Sequence, residues 1–148
     1  MSEIDLDAQA VMDALIGEAD ALRDALESRI QRKLTGEILN ARSGALADSI
    51  VSTLDAAGSA ISVTTSSDGV PYAAIQEFGG KTAAYDIVAV KAKALCFGAG
   101  GGQVFARRVH HPGSTLPARS YLRSALSETR VQIESGFKEA VLKALGQS

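Results

Sequence analysis

The 148-residue chain has no tryptophan, and aromatic residues make up only 5% of it. A stacking platform for single-stranded nucleic acid therefore has little to be built from. There is one cysteine, Cys96. That excludes an internal disulfide framework and a multi-cysteine zinc site. The two histidines, His110 and His111, are adjacent. An extended chain sends neighbouring side chains to opposite faces, so the pair does not chelate one metal. No His-Glu-x-x-His pattern accompanies them, and their expected role is to shape the Pro112-Gly113 loop. No apolar run is long enough to span a bilayer. The first residues are acidic and lack the basic-then-apolar pattern of a secretory signal. These features lead us to expect a chain made in a cytosol, without a membrane partner or a cofactor, and either kept there or built into an assembly.

Catalytic constellations are also missing. Cys96 could be drawn as a nucleophile with a histidine and Asp86. It lies between Leu95 and Phe97 in a strand pattern, however, and the expectation is a buried, inert thiol. Glu77, Asp48 and Asp68 are scattered acids with no paired-carboxylate spacing. The tract Gly98-Ala99-Gly100-Gly101-Gly102 is rich in glycine, but a strand follows it rather than a helix, and no Gly-Lys-Ser/Thr is present. It reads as a hairpin tip and not as a phosphate loop. The expectation is a protein that is not an enzyme.

The length suits one domain, residues 1–148, with a single core. Hydrophobic residues make up 46% and charged residues 22%, ordinary values for a globular chain. The net charge of −2 argues against a general nucleic-acid binder. The charge is divided unevenly. Met1–Ser28 holds eight acids and one base, whereas Lys81–Arg123 holds seven bases and one acid, Asp86. Such a division suits head-to-tail contact between copies, or contact with an oppositely charged partner. It also arises when exposed faces simply differ in charge. The alternative function it allows is a small nucleic-acid-associated protein using the basic 81–123 region.

Along the chain, residues 4–34 read as a long amphipathic helix. Val11, Leu15, Ala19, Leu22, Leu26 and Ile30 recur at spacings of three and four. Thr35-Gly36 ends it, and Ser43 is a candidate N-cap for a short turn carrying Leu46. Ile50–Asp55 and Ala60–Thr65 alternate apolar and polar residues across a small-residue link. They read as a hairpin with Ile61 and Val63 on one face. Val70–Gly80 reads as a short helical turn with a glycine stop. A mobile loop is expected from Lys81 to Tyr85. Strands are expected at Tyr85–Val90, Ala94–Phe97 and Val104–Val109. Pro117 suits the start of a helix, and an apolar period runs from Tyr121 to Leu145. Arg119 and Arg123, four apart, are expected on one face of that last helix. The predicted class is α+β: a long N-terminal helix, an antiparallel sheet of two hairpins with a short intervening helix, and a long C-terminal helix packed on the sheet.

Four segments carry a likeness. They are Gly36…Arg42-Ser43-Gly44-x-Leu46, Tyr72-Ala73…Glu77-Phe78-Gly79, Lys93-Ala94-Leu95-x-Phe97…Val104-Phe105, and Pro112-Gly113…Pro117-Ala118-Arg119. In this order they resemble a family of tailed-bacteriophage virion proteins. These are the small neck and tail-completion (head–tail joining) proteins, gene-product-10-like in siphophages, with the Mu G-like virion morphogenesis proteins as relatives. The likeness covers most of the chain after residue 35. Where the family often has Pro and Phe, this chain has Ser120 and Tyr121, and Ser120 still serves at a helix start.

The resemblance implies an α+β structural protein of the virion, at the neck or tail top, assembled in the bacterial host cytoplasm. It implies self-association into a ring, commonly of about six subunits. The implied partners are the tail tube or tail terminator and the head connector, with DNA close by in the channel. The implied interface residues are Glu77, Phe78, Arg107, Arg108, Pro117, Arg119 and Arg123. Among them Glu77 and Phe78, with Gly79, fix the short helix, Pro117 and Arg119 fix the start of the last helix, and Arg107 and Arg108 face a neighbour or the channel.

Overall fold

A computed structural model describes residues 7–40, 43–58 and 60–146. The α+β arrangement expected from the sequence is present. Helix α1 spans Ala8–Leu34. Asp7 caps it, its carboxylate accepting hydrogen bonds from the backbone N–H of Gln9 and Ala10, both at 3.0 Å. Residues 4–6 of the expected helix, and Arg42 of the first family-like segment, lie outside the described residues. The helix stops at Thr35, whose N–H bonds back to Gln31 and Arg32. A single turn, α2, covers Ala45–Asp48. Its N-cap is Gly44, not Ser43, and no side chain caps it. Gly44 has φ +74°, a left-handed conformation in which glycine carries no Cβ penalty.

Strands β1 (Ile50–Ala57) and β2 (Ala60–Ser67) form an antiparallel hairpin with Ala57 opposite Ala60. The strands therefore run further than the alternation indicates, and only two residues link them. Ile61 and Val63 face inward, as expected, and Ser62 and Thr64 face out. Helix α3 covers Ala73–Phe78, and helix α4 covers Leu122–Ala144.

Between α3 and α4 the chain goes out and back as one ribbon. Its strands are β3 (Gly80–Lys81), β4 (Tyr85–Val88), β5 (Leu95–Ala99), β6 (Gly102–Ala106), β7 (Arg108–His111) and β8 (Thr115–Leu116). They pair β3–β8, β4–β7 and β5–β6, all antiparallel. The Lys81–Tyr85 segment is thus not a free loop. Lys81 lies opposite Thr115, the Thr82 N–H donates to Ser114 O, and the Ser114 N–H donates to Thr82 Oγ1. The expected strands at 85–90 and 104–109 are both interrupted. Six residues separate Val88 from Leu95, whereas only Arg107 separates Ala106 from Arg108. That excess on one strand is a bulge that divides the ladder.

The core lies over the C-terminal half of α1. Leu26, Ile30 and Leu34 pack with Leu46, Ile50 and Tyr121. The N-terminal half of α1 is covered less completely. There Ala10 and Ala14 face Gly136, Ala140 and Ala144 of α4, and these small residues bury little. The two long helices are tied by Lys33, buried beside Glu128 at 2.6 Å, and by Arg29 donating to Gln132. Among the described residues no helix is long and apolar enough to cross a membrane.

Core and surface positions should therefore differ sharply. Ile30 is fully buried, and Ile30→Ala should cost about 3 kcal/mol through lost burial and a cavity. Val131 is 74% exposed, and Val131→Ala should stay within about 0.5 kcal/mol. Urea unfolding of the two variants measures the contrast.

Candidate functional site

Helix α4 begins without a cap of its own: Tyr121 occupies the N-cap position and contributes no side-chain bond. The first N–H groups of a helix need acceptors from elsewhere. Here they come from Glu77, on the last turn of α3. Its Oε2 accepts the N–H of Tyr121 at 2.7 Å and of Leu122 at 2.9 Å. Its Oε1 accepts the N–H of Arg123 at 3.1 Å, Ser120 Oγ at 2.7 Å and Arg123 Nε at 3.0 Å. Ser120 Oγ then accepts the Ser124 N–H. A carboxylate at this end also complements the helix dipole.

Glu77 is only 2% exposed. Burial pushes its carboxyl up, but the hydrogen bonds from Leu122, Ser120 and Arg123 outweigh that and bring it down to about 2. The neighbouring Tyr121 phenol is pushed up, first by its own burial and then by the negative charge of Glu77.

Glycine makes this approach feasible. Gly79 ends α3 with φ +71° and ψ −176°, a region that essentially only glycine occupies. A Cβ on Gly79 would lie 2.6 Å from Ala118 N and 2.9 Å from Leu116 O. The 116–118 segment therefore lies directly against the end of α3, and the Arg119 N–H donates to Gln76 O at 2.8 Å. On the outside of this junction the Arg123 guanidinium sits 4.6 Å from the centre of the Phe78 ring, a cation–π contact.

The structure thus brings Glu77, Phe78, Pro117, Arg119 and Arg123 to one place, with corrections to their expected roles. Glu77 is inside the chain and organises α4, so it is not available as a contact residue. Pro117 is exposed and lies outside the helix, because α4 begins at Leu122. Arg119 is outside the helix too and shares no helical face with Arg123. Its backbone is tied to α3 while its side chain is exposed. The exposed part of the junction is Phe78, Pro117, Arg119 and Arg123.

Arg107 and Arg108 lie apart from this junction, in the ribbon. Arg107 sits between β6 and β7 and is exposed. Arg108 pairs with Asp86, which also receives His110 Nδ1 at 2.9 Å. Arg108 first, then His110, hold the Asp86 carboxyl below its ordinary value. His111 stacks on Tyr85 and accepts the Gly113 N–H at 3.0 Å, so it does shape the Pro112-Gly113 loop. Cys96 is exposed, contrary to expectation, because the ribbon has no layer behind it. It makes no hydrogen bond to a histidine or a carboxylate among the described residues. No group of three or more potential metal-ligating side chains occurs among them either.

Sequence reasoning missed the Glu77 clasp. The available signal was a lone acid before a glycine stop, together with a helix start poor in capping residues. Comparison with family models, with curated proteins and with solved structures finds no match.

The clasp has a pH signature. The Glu77 carboxyl sits at about 2 when folded, against an ordinary value of 4.5. Between those values the unfolded chain binds the extra proton, so the contribution of Glu77 is complete above about pH 5 and is lost as pH falls toward 2. We expect Glu77→Gln to cost roughly 3–5 kcal/mol at pH 7, and the gap from the native chain to narrow by about 3 kcal/mol by pH 2. Gly79→Ala should cost roughly 2 kcal/mol or more at any pH. Urea midpoints across pH measure both variants.

Proposed function

We propose that this chain is a non-enzymatic structural protein of a tailed-phage or prophage virion. It acts in tail completion or head–tail joining, as a self-assembled ring at the neck or tail top. The observation that carries the reading is the meeting of two of the family-like segments. Glu77-Phe78-Gly79 and Pro117-Ala118-Arg119 are far apart in sequence, yet they form one junction through Gly79, Glu77 and the Arg119–Gln76 bond. A third family-like segment, Lys93–Phe105, is the far end of the ribbon. Its Phe97, Val104 and Phe105 are exposed, and exposed apolar clusters of this kind are characteristic of surfaces that meet a partner. The partners this reading assigns are further copies of the chain, the tail tube or terminator, and the head connector.

The basic 81–123 region carries less free charge than its composition indicates. Arg108 pairs with Asp86 and Arg123 with Glu77. A duplex-binding role nevertheless makes its own prediction: affinity that falls steeply with salt.

The test is a phage or prophage lacking this gene, supplied with the native chain or with Arg119→Glu. We expect the native chain to restore infectious particles and Arg119→Glu to fail, with its unfolding midpoint unchanged. Full titre without the gene would overturn the reading. A salt-sensitive gel shift of duplex DNA, with no effect on particles, would favour the nucleic-acid role.

A further inference from the structure

The helix layer is wider than the sheet beneath it. Helix α1 lies over both β1 and β2, and α4 packs along the side of α1. Two helices side by side present a face about 18–20 Å across. Two strands about 4.8 Å apart cover about 10 Å of it. The uncovered part lies beside β2. A groove there is lined by Leu26 of α1, Ile61 and Val63 of β2, and Leu126, Ile133 and Phe137 of α4. It continues around the strand to Thr64, which points away from the helices, and on to Leu122. Among the described residues β2 pairs with β1 alone, so its groove-side N–H and C=O groups have no ladder partner. Leu126 is 51% exposed although it is on the helix that carries buried Ala125. The groove therefore has an apolar floor and an open strand edge as one wall, the arrangement that accepts added strands.

The ribbon has the complementary character. In β5–β6 the opposed pairs Leu95–Ala106 and Phe97–Val104 share one face, and all four residues are apolar. These strands pack chiefly against each other, and a two-stranded ribbon alone is marginal in water. Its width, two strands, matches the width missing from the sheet. Lys91, Lys93 and Arg107 flank its base, and all three are exposed. The charged residue that lines the groove, Arg123, is paired with Glu77.

We propose that the β5–β6 ribbon of a second copy of this chain adds beside β2. It pairs with the open edge, lays its apolar face on Leu126, Ile133 and Phe137, and completes a four-stranded sheet under the two helices. The contact joins two different surfaces, so its repetition builds a ring or a filament. This proposal rests on the self-assembly part of the proposed function and adds the surfaces that meet.

Cys96 on β5 supplies the test. The variant Thr64→Cys/Cys96→Ser carries its only thiol on β2, and the native chain carries its only thiol on β5. We expect a short bismaleimide to join the two in a mixture, well above the dimer yield of either alone. Phe97→Glu and Leu126→Glu change exposed positions. Each should keep the monomer's unfolding midpoint while weakening self-association at least about tenfold. A chain that stays monomeric, a mixed yield no higher than background, or a cross-link formed only within one chain carrying both thiols would overturn the proposal. The virion reading fails separately. A cross-link between copies together with full particle titre from Leu126→Glu would overturn that reading and leave the interface standing. Particles built by an oligomer that gives no cross-link would do the reverse.

Discussion

One buried carboxylate, that of Glu77, joins α3 to the start of α4. Glu77 closes the exposed start of α4, and in doing so it fixes where a long helix begins relative to a short one far away in sequence. Its five hydrogen bonds come from backbone, hydroxyl and guanidinium. A buried charge is tolerated only when it is satisfied this completely. Removing the carboxylate leaves the backbone N–H groups of Tyr121, Leu122 and Arg123 and the Arg123 guanidinium without their acceptor. The close approach at Gly79 belongs to the same constraint, since a side chain there would drive α3 away from the 116–118 segment. Because β3 and β8 begin and end at this junction, the base of the ribbon is fixed by it too.

The rest of the molecule reads as two surfaces left incomplete. The helices cover more ground than the β1–β2 hairpin can match, and the ribbon extends without a layer behind it. Each surface has apolar side chains in water and strand edges without partners. The proposed contact between copies would resolve both deficits at once.

Much of the fold was legible in the residues. The long helices showed because a 3.6-residue apolar period persists in each, and the first hairpin because Ile61 and Val63 alternate with polar neighbours. The glycine stop at Gly79 and the glycine tip of the ribbon were also readable, since each glycine allows a backbone turn that other residues resist. The junction was not legible. A cap supplied from 44 residues away leaves no local pattern, and Glu77 looked like one scattered acid among several. Pro117 pointed to a helix start, but the 116–118 segment is held extended against α3 and the helix waits until Leu122. Cys96 illustrates a further limit: alternation placed it correctly in a strand, yet alternation cannot say whether anything covers that strand. The bulge at residues 89–94 was invisible because it depends on the pairing of two segments, not on either one.

The most direct test of a self-assembling structural role is light scattering on the purified chain, followed by negative-stain imaging. Closed particles of about six subunits are the predicted result, since a contact between unlike surfaces closes when its rotation fits the ring. A monomer at every concentration, with the ribbon's apolar residues still exposed, would contradict it.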